Sequence, residues 1–425
     1  MLTSSMIDPR STMLLTGMKE LILLIFVASL MLASRRIRLS FHANDLAYGL
    51  FILYILMSAL LSESPLYAVL VSSRDFIVIF AMYFIGRLCF KYIDSDEIIY
   101  LFRALLFIVF ILALSATFLY FFMDDSRWMA VGLGSFMENK FSNANFYEKI
   151  AFGQMPSNFS TYWFGQKLPR SVGTVLDAPT LSRLLAIGIV LTMCQVACLR
   201  RSREFTDRLI ISSFALITIF TFAQILTLGR SGMLMSLIGL LTILYLRPWT
   251  RLLFFLGLIA LALVTASLIQ SKDANTMTHL NGLVAGLDQL TFAGHGLGSA
   301  GQAVMNFSSE TATNRKVKES FIGSIFYQIG LLGGAAFALT FIISFRVLYS
   351  SFRIAAANGA QASFAYVLLS GLALYTGIVA GSFLSTSAIG FTSAFVPFFI
   401  LGWSTSYILE SSRMAESKKD SPYAM

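Results

Sequence analysis

A chain of 425 residues with 57% hydrophobic and only 12% charged side chains cannot cover a water-facing surface, because soluble domains carry about a quarter charged residues. Its net charge of +9 is scattered in short clusters that form no stripe and match no recognition motif, so nucleic acid is not expected as a partner. The apolar residues fall in blocks of about twenty, the length of a bilayer core, where backbone polar groups must be satisfied within helices.

The sequence therefore predicts an all-α fold: a polytopic transmembrane helical bundle, one integral membrane domain over 1–425, with about eleven spans (roughly 10–12). In chain order these are 13–33, 43–61, 73–90, 98–122, 178–198, 209–228, 230–246, 252–270, 320–345, 361–383 and 386–408. Lys19 and Glu20 interrupt the first block. That block ends in Arg35, Arg36 and Arg38 rather than small residues, so no cleaved signal peptide is expected. Cys89, Cys194 and Cys198 lie in or beside apolar helices and read as small hydrophobes, with no disulfide framework or zinc spacing.

Every second connection is basic. Arg35, Arg36 and Arg38 follow the first span, Arg87 and Lys91 the third, and Arg200, Arg201, Arg203 and Arg208 the fifth. Arg247 and Arg251 follow the seventh, Arg346 and Arg353 the ninth, and Arg413, Lys418 and Lys419 close the chain. Such alternation is what the positive-inside rule produces, and it places these connections and the C-terminus in the cytoplasm. The opposite side then receives two long segments, 123–177 and 271–319, rich in Gly, Ser, Asn and aromatic residues. Long loops in compact proteins are usually functional or disordered, so the chemistry is expected on the external face. No inverted repeat of transporter type is visible, and Asp, Glu and Lys are scarce inside the spans, which argues against an ion pathway.

Four segments carry residues suited to chemistry. In Leu168-Pro169-Arg170-Ser171-Val172-Gly173-Thr174, with Asp177 and Arg183 following, Pro and Gly set a turn that presents Arg170 at the membrane surface. In Thr227-Leu228-Gly229-Arg230-Ser231-Gly232 the following span is short and must recruit Arg230 to the membrane edge. A guanidinium there needs a counter-charge, and its planar fork suits phosphate; snorkelling to headgroups is the plain alternative. Ala293-Gly294-His295-Gly296-Leu297-Gly298-Ser299 lacks the βαβ context of a dinucleotide fingerprint. It reads as a tight loop that brings backbone close to a ligand, with His295 as a base or hydrogen-bonding group. Finally Arg315-Lys316-Val317-Lys318-Glu319-Ser320 sets three cations before a carboxylate at a helix start. The cations would gather an anion while Glu319 accepts a proton from an attacking hydroxyl.

In this order the segments resemble the O-antigen polymerase and ligase superfamily (Wzy and WaaL types). The matching runs are Arg170-Ser171-Val172-Gly173-Thr174, Thr227-Leu228-Gly229-Arg230-Ser231, Gly294-His295-Gly296-Leu297-Gly298 and Glu319-Ser320 with Gly330-Leu331-Leu332-Gly333. The resemblance covers roughly residues 40–345. It implies glycan transfer from undecaprenyl diphosphate to a sugar hydroxyl at the periplasmic face of a bacterial inner membrane, in O-antigen or exopolysaccharide synthesis. Arg170 and Arg230 would hold the diphosphate with help from Arg315, Lys316 and Lys318, while Glu319, and after it His295, would serve as base. The glycan would lie among loop residues such as Trp128, Tyr147, Tyr162 and Trp163. No metal or other cofactor is expected. The partners would be the lipid-linked glycan, membrane lipid and a chain-length regulator. Ligases of this kind carry His-Asn where this chain has Glu319-Ser320, which favours a polymerase. A ligase, or a flippase or exporter of lipid-linked sugar, is the alternative.

Overall fold

The computed structural model describes residues 41–130, 159–163, 166–175, 177–199, 207–246, 250–270, 274–300, 320–357, 361–383, 385 and 391–419. The expected span 13–33 lies outside them. The others each meet a helix: α1 (Ala43–Leu60), α2 (Leu66–Cys89), α3 (Ser95–Phe122), α5 (Ala178–Leu199), α6 (Asp207–Thr227), α7 (Arg230–Tyr245), α8 (Arg251–Gln270), α10 (Phe321–Ala357), α11 (Ala362–Gly381) and α12 (Phe391–Lys419). Among the described residues, seven helices are long and apolar enough to cross a membrane. The protein is a membrane protein built as an all-α bundle.

Local chemistry explains where the helices begin. Asp94 accepts hydrogen bonds from the backbone of Asp96 and Glu97, and Glu97 reaches back to the Asp94 amide, which closes a capping box over otherwise orphaned donors. His42 and Asp45 do the same for α1. Along α3 the buried residues are Ile98, Phe102, Leu106, Val109, Ala113 and Ala116, one stripe at helical spacing. Phe107, Ile108, Ile111 and Phe118 face outward, as they would toward lipid. In α5 and α11, 72% of the apolar window is buried, against 22% in α3 and α6; the first two form the centre and the second two its wall. Cys89, Cys194 and Cys198 are buried and form no disulfide.

Among the described residues the most extensive helix pairing joins α2 to α12. A side chain on Gly86 would run into the Phe399 carbonyl, and one on Gly402 into the Tyr83 carbonyl, so two glycines let the backbones approach. This pairing corrects the expected role of Arg87. It is no loop cation but a buried residue in the last turn of α2. Its Nε and Nη2 donate to the two Asp45 oxygens at 3.0 and 2.9 Å, and Nη1 to Ser406 Oγ at 2.7 Å.

Neither long loop is featureless. The first contains a short helix, α4 (Asp125–Ala130), and an antiparallel hairpin of β1 (Ser160–Trp163) and β2 (Gln166–Pro169), in which Ser160 pairs with Pro169. The second contains α9 (Ala274–Asp288), packed on α10 through facing glycines Gly286 and Gly323. The 37 residues of α10 would span about 55 Å if straight, well beyond a bilayer core of about 30 Å. The helix is broken at Gly330, where φ is +65°.

Candidate functional site: an arginine cluster at one end of the bundle

The C-terminal ends of α3, α6 and α11 and the N-terminal ends of α5 and α7 meet at one end of the bundle, joined by the contacts described next. The chain leaves β2 at Pro169 and is pinned three times. The Arg170 amide donates to the Phe159 carbonyl at 2.8 Å, the Ser171 amide to Leu226 at 2.8 Å, and Ser171 Oγ to Ala116 at 2.8 Å. Two residues on, Gly173 takes φ +52° against Leu181 and Ala116, a backbone state that costs other residues energy. Arg170 is thereby set over the end of α6, where its Nε donates to the Thr227 carbonyl at 2.9 Å. Among the described residues its two terminal nitrogens make no hydrogen bond. Burial lowers its pKa to about 10; Asp177 works against that shift and Arg230 adds to it. The guanidinium stays charged at neutral pH, and Arg170 and Arg230 repel each other within one site.

Arg230 is the first residue of α7, after the N-cap Gly229. Thr227 builds the turn before it: Thr227 Oγ1 accepts from the Gly229 amide at 3.2 Å and donates to the Gln224 carbonyl at 2.6 Å. Leu228 is forced to φ +47°, an uncommon state for a residue with a bulky side chain. The turn is clamped on α5, because Ser182 Oγ donates to the Gly229 carbonyl at 2.9 Å and Gln224 Nε2 to the Ser182 carbonyl at 3.0 Å. Gly229 and Gly232 lie so close to Ser182 that neither could carry a side chain. At 16 residues, α7 is about 24 Å long, short of a bilayer core. Arg230 at its start is half-buried.

A third cation, Arg183, enters from α5. It is buried, with Nη1 donating to Ser385 Oγ at 3.1 Å and Nη2 to Thr180 Oγ1 at 2.9 Å. Asp177 caps α5 through the Thr180 amide at 3.0 Å, and its charge acts on both Arg170 and Arg183. Asp177 thus faces Arg170 and Arg183, with Arg230 beside Arg170, and the positive N-terminal ends of α5 and α7 add to an arrangement that attracts anions. Sequence reading noted Arg183 and Asp177 but gave them no role. The signal was their spacing: a cap at Asp177, then Thr180 and Arg183 one turn apart on the same face.

The glycine loop is anchored elsewhere at the same end. Residues 291–296 lie along the break in α10: the His295 amide donates to Tyr327, the Gly296 amide to Gln328, and the Leu331 amide to Thr291, each at 3.0 Å. These bonds satisfy backbone groups that the break would strand in an apolar setting. Gly294, Gly296 and Gly298 have φ of +85°, +87° and +79°, and Gly294 meets Gly330 backbone to backbone. Tyr54 and Ser62 add hydrogen bonds to Ile329 at 2.9 Å and Leu297 at 2.7 Å. His295 is exposed. Its ring stacks on Tyr327 with centroids 4.2 Å apart, and Nδ1 lies 3.1 Å from the Tyr327 carbonyl. A carbonyl only accepts, so this contact suits the neutral tautomer with its proton on Nδ1, which leaves Nε2 as an acceptor.

Glu319, Arg315, Lys316 and Lys318 lie outside the described residues, as does Tyr147. The cap of α10 is Ser320, whose Oγ accepts from the Gly323 amide at 3.2 Å. Glu319 therefore directly precedes a capped helix start. Fold and site together define a polytopic membrane protein with a cationic, anion-attracting end. Comparison of the chain with protein-family models and with curated proteins finds no match to either.

Proposed function

We propose that this protein polymerises lipid-linked oligosaccharide repeat units, transferring glycan from undecaprenyl diphosphate to a sugar hydroxyl at the periplasmic face of a bacterial inner membrane. The observation that carries the reading is the collection of Arg170, Arg230 and Arg183 around the capped start of α5. In glycan transfer from a polyprenyl diphosphate, the acceptor oxygen bonds to the anomeric carbon while the bond from that carbon to the phosphate oxygen breaks. The electron pair leaves with the diphosphate, and cations held in place before the reaction stabilise that growing charge. Guanidinium forks match phosphate oxygens two at a time. The acceptor proton passes to a base, for which the assignment is Glu319 first and His295 Nε2 second.

The basic turns between spans support a cytoplasmic C-terminus and put the arginine end outside. In this topology the ten matching helices, together with 13–33, make eleven spans. Glu319-Ser320 in place of His-Asn supports a polymerase over a ligase. The test is chain growth on a lipid-diphosphate-linked oligosaccharide in proteoliposomes without nucleotide or metal, comparing wild type with Arg230→Ala and Glu319→Gln. Growth that is lost in Arg230→Ala is the expected result. Transport of the substrate across the bilayer without any chain growth would overturn the enzyme reading in favour of a flippase. An active Glu319→Gln would move the base assignment to His295.

A further inference from the structure

Beside Arg170 lies a small recess of about 50 Å³, partly open to solvent, between the end of α3, the short helix α4 and the exit of β2. Its wall includes Tyr120, Asp125, Trp128, Phe159 and Arg170. Two neighbouring carboxylates at the start of α4 are used differently. Asp124 is spent on local structure: it accepts from Ser126 Oγ at 2.7 Å and from the Arg127 amide at 2.8 Å and pairs with Arg127 at 3.6 Å. The Ser126 and Arg127 bonds hold its carboxyl below the usual carboxylate range. Asp125 lines the recess and, among the described residues, its carboxylate makes no hydrogen bond. Trp128 is braced edge-on by the buried Phe159, with centroids 5.4 Å apart, yet stays half-exposed.

We propose that this recess binds the sugar ring attached to the diphosphate of the lipid-linked donor. The proposal rests on the reading of Arg170 and Arg230 as the diphosphate site and extends it outward. A pyranose presents an apolar C–H face and a rim of hydroxyls. Trp128 offers a rigid aromatic platform for the face, and Asp125, an acceptor with two oxygens, takes hydroxyl protons from the rim. Arg170 belongs to both the recess and the arginine cluster, so a sugar held here keeps its phosphate link next to the guanidinium groups. The opening to solvent leaves room for the rest of the glycan.

The test measures binding to nanodisc-held protein of undecaprenyl diphosphate, bare or carrying a single hexose or N-acetylhexosamine from a panel. Wild type is expected to bind at least one sugar-bearing lipid more tightly than the bare lipid, by roughly tenfold. Trp128→Ala and the surface change Asp125→Asn should each remove most of that gain and leave affinity for the bare lipid unchanged. No gain across the panel in wild type, or equal losses for bare and sugar-bearing lipid in both variants, overturns the proposal. Arg230→Ala separates the two readings. If it leaves bare-lipid binding intact, the diphosphate site itself is wrong. If it weakens every lipid while Trp128→Ala and Asp125→Asn weaken none, only the sugar site fails.

Discussion

At one end of the bundle Arg87 meets Asp45 through two hydrogen bonds and Ser406 through a third, with Tyr83 donating to the same carboxylate. At the other end Arg170, Arg183 and Arg230 gather where one carboxylate, Asp177, acts on two of them. Both sites contain buried guanidinium groups; among the described residues the first sets one arginine against one carboxylate, whereas at the second Asp177 acts on both Arg170 and Arg183. A matched buried pair holds helices in register and has no electrostatic reason to bind anything more. An excess of cations at helix starts stays attractive to an anion. The difference separates an arginine matched to one carboxylate from a group of arginines gathered at helix starts, although both read alike as basic residues at span ends.

Substitution should separate the two ends most sharply through stability. Arg87→Ala strands the Asp45 carboxylate in the interior, and removing one partner of a buried pair costs about 3–5 kcal/mol. The expected result is a large fall in thermal midpoint in detergent, with partial recovery when Asp45 is changed to Leu in the same chain. Arg230→Ala and Arg170→Ala should do the reverse. Chain growth should fall by about 100-fold or more, the scale of losing one preorganised charge stabiliser, while the midpoint holds or rises as repulsion is relieved. If both ends lose stability alike, the distinction fails.

Much of the fold was legible because lipid leaves the backbone few choices. Apolar blocks of span length had to be helices, and the blocks from 43–61 onward meet helices in the structure. The role of Arg87 was hidden, since its partner Asp45 stands 42 residues away and only the fold joins them. The hairpin β1–β2 and helix α9 were unread for a related reason: their weak local patterns are stabilised by tertiary packing. In the candidate site, Arg170 and Arg230 stood out in the sequence as cations beside the ends of apolar blocks. Asp125 was not, because Asp124 beside it is identical in sequence and only contacts tell the two apart.

Smaller effects sharpen the same contrast. Gly330→Ala must hold φ +65° against the Gly294 backbone, a strain of about 1–3 kcal/mol. Its midpoint should drop by less than that of Arg87→Ala, and hydrogen exchange should quicken in 291–296. Asp177→Asn keeps a good helix cap and removes the negative charge from the cluster. Stability should change little, while affinity for undecaprenyl diphosphate should rise by roughly threefold at low salt and return to wild type as salt screens it.

The most direct measurement is the affinity of the protein in nanodiscs for undecaprenyl diphosphate against undecaprenyl monophosphate, in wild type, Arg170→Gln and Arg230→Gln. An anion site built from surplus cations predicts that wild type prefers the diphosphate and that each substitution erases most of the preference. Equal affinity for the two lipids in wild type, or a preference untouched by both substitutions, would contradict it.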